Sequence, residues 1–232
     1  MSSKTITASR GATFAAACRV NQAVTAEAER RALQWMALRA PQWVTSDQLT
    51  ALGLGAQVGA GMCYALARYD RRMLLPGIVC LGLNWLGDSM DGTLARVRQQ
   101  QRPRYGFYVD HMVDLFGAIA LMGGLGCSGF VHWETAAALL VAFLLLSSES
   151  YLATYTLSRF QMSQGVFGPT EIRILLAIGN VALMRNPYCT IFGRKLLLFD
   201  VGGVIAAVCM FAMATVVTAR HAVELFRKEP LP

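Results

Sequence analysis

Long runs of apolar residues, separated by short polar segments, fill the chain from about residue 45 onward. A helix needs about 20 predominantly apolar residues to cross the roughly 30 Å hydrocarbon core of a bilayer. The pattern therefore predicts an all-α integral membrane protein with six transmembrane helices. The predicted spans are residues 47–67, 73–97, 105–126, 133–159, 170–184 and 196–226. The fifth is short for a bilayer, and Pro187 follows it closely.

Two segments precede the first span. Residues 1–23 hold basic and hydroxyl side chains but no acid, which predicts a flexible basic tail; targeting segments have a similar composition. Residues 24–44 mix large apolar side chains with glutamates and arginines, so we expect an amphipathic juxtamembrane helix that lies on the membrane surface and ends before Pro41. A transmembrane domain over residues 45–228 completes the predicted organisation.

The start of the first span carries a local signal. Thr45, followed three residues later by Gln48, resembles a capping box, in which each side chain bonds the backbone N–H of the other residue. Glycines recur within the span, and small residues let membrane helices approach closely. These glycines are Gly53, Gly55, Gly59 and Gly61. We expect neighbouring helices to pack tightly against this span.

Composition supports the membrane assignment. Hydrophobic residues make up 55% of the chain and charged residues 15%, whereas soluble domains carry about a quarter charged residues. The net charge of +7 would suit nucleic acid, but the basic residues cluster between apolar spans, as cytosolic loops of membrane proteins do. We therefore expect no nucleic-acid partner. The six cysteines are scattered singly, which indicates reduced packing residues rather than a disulfide framework.

Four aspartates stand at helical spacing in the second and third spans. Asp88 and Asp91 are three residues apart, and Asp110 and Asp114 are four apart, so each pair lies on one face of a helix. Carboxylates within a membrane span are costly and by default functional. If the four converge, they repel one another unless cations lie between them. Two divalent cations with oxygen ligands would balance the charge, and magnesium or manganese fits better than zinc.

Positive charge predicts the orientation. Fifteen of the 21 lysines and arginines lie in the two tails and in the loops after the second and fourth predicted spans. Because cytosolic segments are enriched in these residues, both termini and the four aspartates are expected at the cytosolic face.

The aspartates belong to a longer pattern that resembles the signature of the CDP-alcohol phosphatidyltransferase family. All eight fixed positions of that signature match this chain. The matching pattern reads Asp88-x2-Asp91-Gly92-x2-Ala95-Arg96-x9-Gly106-x3-Asp110-x3-Asp114. The resemblance implies a phospholipid-biosynthetic transferase, acting as a homodimer, that moves a substituted phosphate from a CDP-linked donor to an acceptor hydroxyl and releases CMP.

The resemblance also implies roles for individual residues. Asp88, Asp91 and Asp110 would bind two Mg²⁺ or Mn²⁺ ions, and Asp114 would be the general base as well as a possible ligand. The remaining positions would line the nucleotide pocket, together with Thr50, which lies in a Leu-Thr element similar to that of the family's first helix. These pocket residues are Thr50, Gly92, Ala95, Arg96 and Gly106.

Donor and acceptor are left open between two branches of the family. The segment Asp110-His111-x2-Asp114 is similar to that of choline- and ethanolaminephosphotransferases, and so is Pro169-Thr170-Glu171-Ile172. In that branch the donor is a CDP-aminoalcohol, His111 is the alternative base, and Glu171 contributes to the acceptor site. In the other branch CDP-diacylglycerol donates to a small polar alcohol, and Arg173 would hold an acceptor phosphate.

A transporter or channel for ions or small solutes is the alternative from another class. It would use the aspartates as an ion site along a six-span pathway. Such a pathway places acids in several spans near the middle of the membrane, whereas here they concentrate in one motif at one face. The distribution favours the enzyme.

The six-span topology makes a direct prediction. Single cysteines engineered before Arg10 and near Arg227 should react with a membrane-impermeant reagent from the same side, because an even number of crossings returns the chain to its starting face. Labelling from opposite sides would exclude six spans.

Overall fold

A computed structural model of the chain describes residues 18–20, 26–157, 159–161, 169–191 and 193–229. This part of the chain contains seven α-helices. They are α1 (Ala26–Arg39), α2 (Ser46–Ala67), α3 (Leu74–Val97), α4 (Pro103–Cys127), α5 (Trp133–Leu157), α6 (Pro169–Arg185) and α7 (Leu198–Lys228). A short 3-10 turn, Arg71–Met73, leads directly into α3.

Five of these helices are long and apolar enough to cross a membrane, which confirms the all-α membrane class. They are α2, α3 with its preceding turn, α4, α5 and α7. Helix α6 has 17 residues, or about 25 Å at 1.5 Å per residue, somewhat less than the hydrocarbon thickness. Its role as a sixth span therefore stays a prediction.

The structure contains two strand pairs that the apolar pattern did not predict. Strand β1 (Cys18–Val20) pairs in parallel with β2 (Arg159–Gln161), so α5 ends at Leu157, short of the predicted boundary at 159. The predicted tail is extended at β1, and the rest of it, residues 1–17 and 21–23, lies outside the described residues.

The second pair is an antiparallel hairpin between α6 and α7. Strands β3 (Tyr188–Ile191) and β4 (Arg194–Leu197) run side by side, with Tyr188 opposite Leu197. Gly193 has φ +76° in the connection, a conformation that glycine adopts without a steric penalty. The last helix consequently begins at Leu198, two residues after the predicted start, because the apolar residues before it belong to β4.

Helix α1 forms as the mixed pattern predicted. Leu33 and Ala37 are buried in a cluster with Leu49 of α2 and with Met90 and Leu94 of α3. Its large apolar side chains on the other face, including Trp35, stay exposed. Contact of that face with the membrane surface stays a prediction.

The capping box at the start of α2 is confirmed. The Gln48 N–H donates to Thr45 Oγ1 at 3.2 Å, and the Thr45 N–H donates to Gln48 Oε1 at 2.9 Å. Two backbone donors that the helix leaves without partners are thereby satisfied.

Helices α3 and α4 both pack on α2, and glycines make this possible. A Cβ on Gly87 of α3 would lie 2.6 Å from both the Gly53 nitrogen and the Leu49 oxygen of α2. A Cβ on Gly124 of α4 would overlap the Gly61 carbonyl. Close approach is thus confirmed for Gly53 and Gly61 among the predicted glycines, whereas Gly55 faces open space.

Helix α6 crosses the same bundle from one end to the other. Near its N-terminus, Arg173 donates a hydrogen bond to Asp88 in the C-terminal half of α3. Further along, Asn180 accepts a hydrogen bond from the Tyr64 hydroxyl, one turn before the end of α2. The C-terminal part of α3 and the N-terminal parts of α2, α4 and α6 therefore gather at one end of the protein, which we call the acidic end.

The glycine contacts yield a matched pair of variants. Gly124→Ala should lower stability by about 1–3 kcal/mol, because the added methyl group meets backbone that cannot rotate away. Gly55→Ala should be neutral or slightly stabilising, since the methyl group has room and alanine favours a helix by about 0.5–1 kcal/mol. Thermal unfolding in detergent measures both. Equal thermal midpoints for the two variants would show that α2 and α4 do not approach closely at Gly61 and Gly124.

Candidate metal and nucleotide site

Three carboxylates meet at the acidic end. Asp88 comes from α3, and Asp110 and Asp114 come from successive turns of α4. One carboxylate oxygen from each lies within 4.8 Å of the others, and all three residues are partly buried. Negative charges at this spacing repel one another strongly when little water screens them. The group needs positive charge to be stable.

Asp91 lies beside this group rather than within it. Its Oδ2 accepts a 2.6 Å hydrogen bond from the Thr50 hydroxyl, and its Oδ1 accepts from the N–H of Gly92. Asp91 nevertheless lines the same small space as the other three aspartates, together with Thr50 and residues of α2 and α3. The four acids predicted as ligands thus surround one space, with three of them close enough to share one ion.

The donor set fits a hard divalent cation. The space between them measures about 10 Å³, roughly the room that one water molecule needs. Carboxylate oxygens are the ligands that magnesium and manganese prefer, and opposite ligands of an octahedral Mg²⁺ stand about 4 Å apart. Asp88, Asp110 and Asp114 could therefore hold one ion, and Asp91 lines the same space.

Arg173 supplies positive charge within the site. Its Nη2 donates to Asp88 Oδ2 at 2.7 Å, and its Nε donates to Asn84 Oδ1 at 2.8 Å. Asn84 in turn donates to the Gly53 carbonyl, so the arginine is held against both α3 and α2. The Nη1 atom is buried and has no hydrogen-bond partner among the described residues. This nitrogen is therefore available to an anionic group that enters the site.

A larger cavity of about 450 Å³ opens one helical turn away. It lies between the start of α2, the end of α3 and the connection to α4. Its lining residues are Thr45, Ser46, Asp47, Leu94, Ala95, Arg98, Gln100, Gln101 and Arg102. The Ser46 hydroxyl donates to the Asp91 carbonyl at 2.9 Å, which links this cavity to the acidic space.

Two arginines shape the cavity. Arg98 donates to backbone carbonyls of the α1–α2 connection, including those of Pro41 at 2.7 Å and Ala40 at 3.1 Å. Arg102 pairs with both oxygens of Asp47, at 2.5 and 2.6 Å. The first arginine fixes the connection, and the second joins the two sides of the cavity.

The predicted nucleotide residues divide into two groups. Thr50 lines the acidic space, Gly92 adjoins it through Asp91, and Ala95 lines the larger cavity. Arg96 is exposed and donates to Thr93 Oγ1 at 2.9 Å, and Gly106 is exposed with nothing within 4 Å of the position that a Cβ would occupy. Neither Arg96 nor Gly106 lines either cavity.

His111 does not line the acidic space and packs against α5. Its ring is buried, stacks on Tyr151 with centroids 4.9 Å apart, and lies 4.2 Å from the Phe107 ring. Its Nδ1 is 3.6 Å from Asp110 Oδ2. Glu171, the other residue predicted for an acceptor site, lies in the first turn of α6, half a turn before Arg173.

Sequence reasoning missed Asn84 and Arg98. Asn84 stands four residues before Asp88 and is the polar member of the same helical face, a signal that was present in the spacing. Arg98 gave no signal, because its partners are backbone carbonyls more than 50 residues away along the chain.

Removing the arginine tests the charge balance. Arg173→Met should destabilise the metal-free protein by about 1–3 kcal/mol, since it leaves Asp88 among like charges without its counter-ion. The side chains of the pair are 15% and 24% exposed, which keeps the effect below that of a fully buried pair. The rise in thermal midpoint on adding Mg²⁺ should be larger in the variant than in the wild type.

Arg31→Met is the matched control, because the Arg31–Glu27 pair is largely exposed. It should shift stability by less than about 0.5 kcal/mol and leave the Mg²⁺ response unchanged. An Arg173→Met variant that behaves like this control would contradict the assigned charge balance.

Comparison with known proteins gives one family match. The family model for CDP-alcohol phosphatidyltransferases matches residues 43–219, which cover α2 to most of α7 and include every residue of the acidic space. A search of curated proteins returned no match. The family carries out phospholipid-biosynthetic transfer from a CDP-alcohol and uses divalent metal ions, so the match supports an enzyme and gives no support to a transporter. With its transmembrane helices and its aspartate cluster, the chain belongs to the CDP-alcohol phosphatidyltransferase family.

Proposed function

We propose that the protein transfers a substituted phosphate group from a CDP-linked donor to an acceptor hydroxyl, with release of CMP, at the acidic end of the bundle. The observation that carries this proposal is the meeting of Asp88, Asp110 and Asp114 in one group beside a nucleotide-sized cavity. Family membership supports the reaction class.

The donor would lie across the two cavities. The cytidine end fits the space of about 450 Å³ along Ala95, and the diphosphate would extend toward the aspartates past Ser46 and Thr50. Thr50 and Ser46 hold Asp91 from the α2 side, so its carboxylate is oriented before a donor arrives. Gly92, Arg96 and Gly106 would complete the donor site on the side that faces solvent.

Bound divalent cations, two Mg²⁺ or Mn²⁺ ions in this proposal, would balance the carboxylates and the developing charge on the transferred phosphate. Asp88, Asp110 and Asp114 would hold one ion, and Asp91 would contribute to the other. The unpartnered Nη1 of Arg173 would donate a hydrogen bond to a phosphate oxygen of the donor or of the acceptor.

The chemical step needs a base. The acceptor hydroxyl passes its proton to that base while its oxygen forms a bond to the phosphorus that carries the alcohol. The bond from this phosphorus to the bridging oxygen breaks, and the oxygen leaves with CMP. We assign the base to Asp114, because its carboxylate lies in the acidic space, whereas the His111 ring is packed between Phe107 and Tyr151.

The two branches of the family imply different pairs of donor and acceptor. In the CDP-aminoalcohol branch Glu171 would contribute to the acceptor site, and in the CDP-diacylglycerol branch Arg173 would hold a phosphate of the polar acceptor. Release of CMP from each donor, measured with purified protein and with diacylglycerol or small polar alcohols as acceptors, decides between them.

The wider assembly is also part of the proposal. The positive residues favour a multi-pass protein in which the acidic end faces the cytosol, where a soluble nucleotide product can leave. We further propose a homodimer surrounded by membrane lipids. Mass measurement by light scattering in detergent tests the dimer.

Metal dependence tests the function as a whole. Asp88→Asn should abolish metal-dependent CMP release while the thermal midpoint stays within a few degrees of the wild type, because the amide keeps the shape but loses the charge that binds a cation. Excess chelator should stop the wild-type reaction, and added Mg²⁺ or Mn²⁺ should restore it. Full turnover in chelator would refute the metal-dependent mechanism.

Two variants separate the candidate bases. At saturating metal, Asp114→Asn should lower kcat by at least about 10²-fold, the usual scale of general-base catalysis, while donor binding largely survives. His111→Ala should lower the rate modestly or alter acceptor preference, since it removes packing against Tyr151. A nearly inactive His111→Ala combined with an active Asp114→Asn would transfer the role to the histidine.

A further inference from the structure

Glu29 of α1 joins three elements of the protein. Its Oε1 accepts hydrogen bonds from Trp85 Nε1 at 2.8 Å, from the Ser89 hydroxyl at 3.0 Å and from the Thr170 hydroxyl at 3.0 Å. Trp85 and Ser89 belong to α3, and Thr170 belongs to the first turn of α6. One half-buried carboxylate thus connects α1, α3 and α6.

These three donors are neighbours, along their helices, of the residues in the Asp88–Arg173 ion pair. Trp85 and Ser89 flank Asp88 along α3, three residues before it and one residue after it. Thr170 lies three residues before Arg173, so both stand on one face of α6. Glu29 therefore ties together the two segments that carry the two ends of the ion pair.

Attachment of α1 does not explain this arrangement. Leu33 and Ala37 already bury α1 against α2 and α3. Among the described residues, the other acid in the first turn of α1, Glu27, pairs with Arg31 of the same helix, at the surface. The hydrogen bond from Thr170 to Glu29, in contrast, links α1 to the first turn of α6, close in sequence to Arg173, which pairs with Asp88 of α3.

We propose that Glu29 is a positioning residue for the transfer reaction. By holding the N-terminal turn of α6 against α3, it keeps the Arg173 guanidinium on Asp88 and next to the phosphate groups. The inference rests on the proposed function for its kinetic consequence. The structural coupling between Glu29 and Arg173 stands apart from the reaction and can be measured without it.

The structural arm is a double-mutant cycle on thermal stability in metal-free, detergent-solubilised full-length protein. Arg173→Met is introduced into the wild type and into Glu29→Ala. If Glu29 acts through Arg173, the fall in thermal midpoint caused by Arg173→Met should be at least halved in the Glu29→Ala background, although neither a hydrogen bond nor an ion pair joins the two described side chains. If Arg173→Met lowers the thermal midpoint equally in both backgrounds, the proposal is overturned, whether or not the protein catalyses any transfer.

The kinetic arm compares four single variants. Glu29→Ala and Thr170→Val should each lower kcat about tenfold, on the scale of a lost hydrogen bond, with the KM for the CDP-linked donor changed less than about twofold. Glu29→Gln should retain most of the activity, because an amide oxygen accepts from the same three donors. Glu27→Ala, a matched loss of one glutamate from the same turn, should behave like the wild type.

The outcomes separate the two hypotheses. Unchanged kcat in Glu29→Ala, or a loss that Glu29→Gln does not rescue, overturns positioning by hydrogen bonds. If Glu29→Ala fails to fold, Thr170→Val replaces it in both arms, since it removes only the contact to α6. If the stability cycle is non-additive but the protein releases no CMP, the structural coupling between Glu29 and Arg173 is supported and the proposed function is rejected.

Discussion

The convergence of carboxylates at one end of the bundle is the constraint on which the rest of the structure depends. Three aspartates with ligand atoms within 4.8 Å cannot all stay charged and close unless positive charge and hydrogen-bond donors compensate them. Arg173 provides the charge, Asn84 orients the arginine, and Thr50 bonds the fourth acid, Asp91. Arg173 belongs to α6 and Thr50 to α2, whereas Asn84 lies on α3, one turn before Asp88. The site therefore holds together only when α2, α3, α4 and α6 are all in place.

Helix α2 brings these elements into register. It carries no motif aspartate, yet α3 and α4 both pack on it, at glycine contacts close enough to exclude a Cβ. In lipid there is little hydrophobic gain from bringing helices together, so close van der Waals packing across small residues supplies much of the stability. Because Gly53 touches α3 beside Asp88 and Asn84, the same contact that packs the helices also sets the distance between their polar groups.

The segments outside the bundle also act on the site. Arg98 donates to carbonyls of the connection between α1 and α2, whose last residue, Thr45, lines the cavity of about 450 Å³. Glu29 reaches from α1 to both α3 and α6. Helix α1 thus contacts α3 and α6, which carry Asp88 and Arg173, although it holds none of the proposed ligands.

The sequence by itself determined the fold class, the helix starts that depend on local chemistry, and the identity of the four aspartates. Apolar runs and the Thr45–Gln48 box are local, so five membrane-length helices and the first cap could be predicted. The hairpin before α7 could not be predicted, because the apolar residues of β4 are equally compatible with the beginning of a helix. Tertiary structure alone placed Arg173 on Asp88, separated Asp91 from the three-carboxylate group and turned His111 toward Tyr151. Spacing along one helix specifies which side chains share a face, but the distance between side chains on different helices is set by how closely those helices pack.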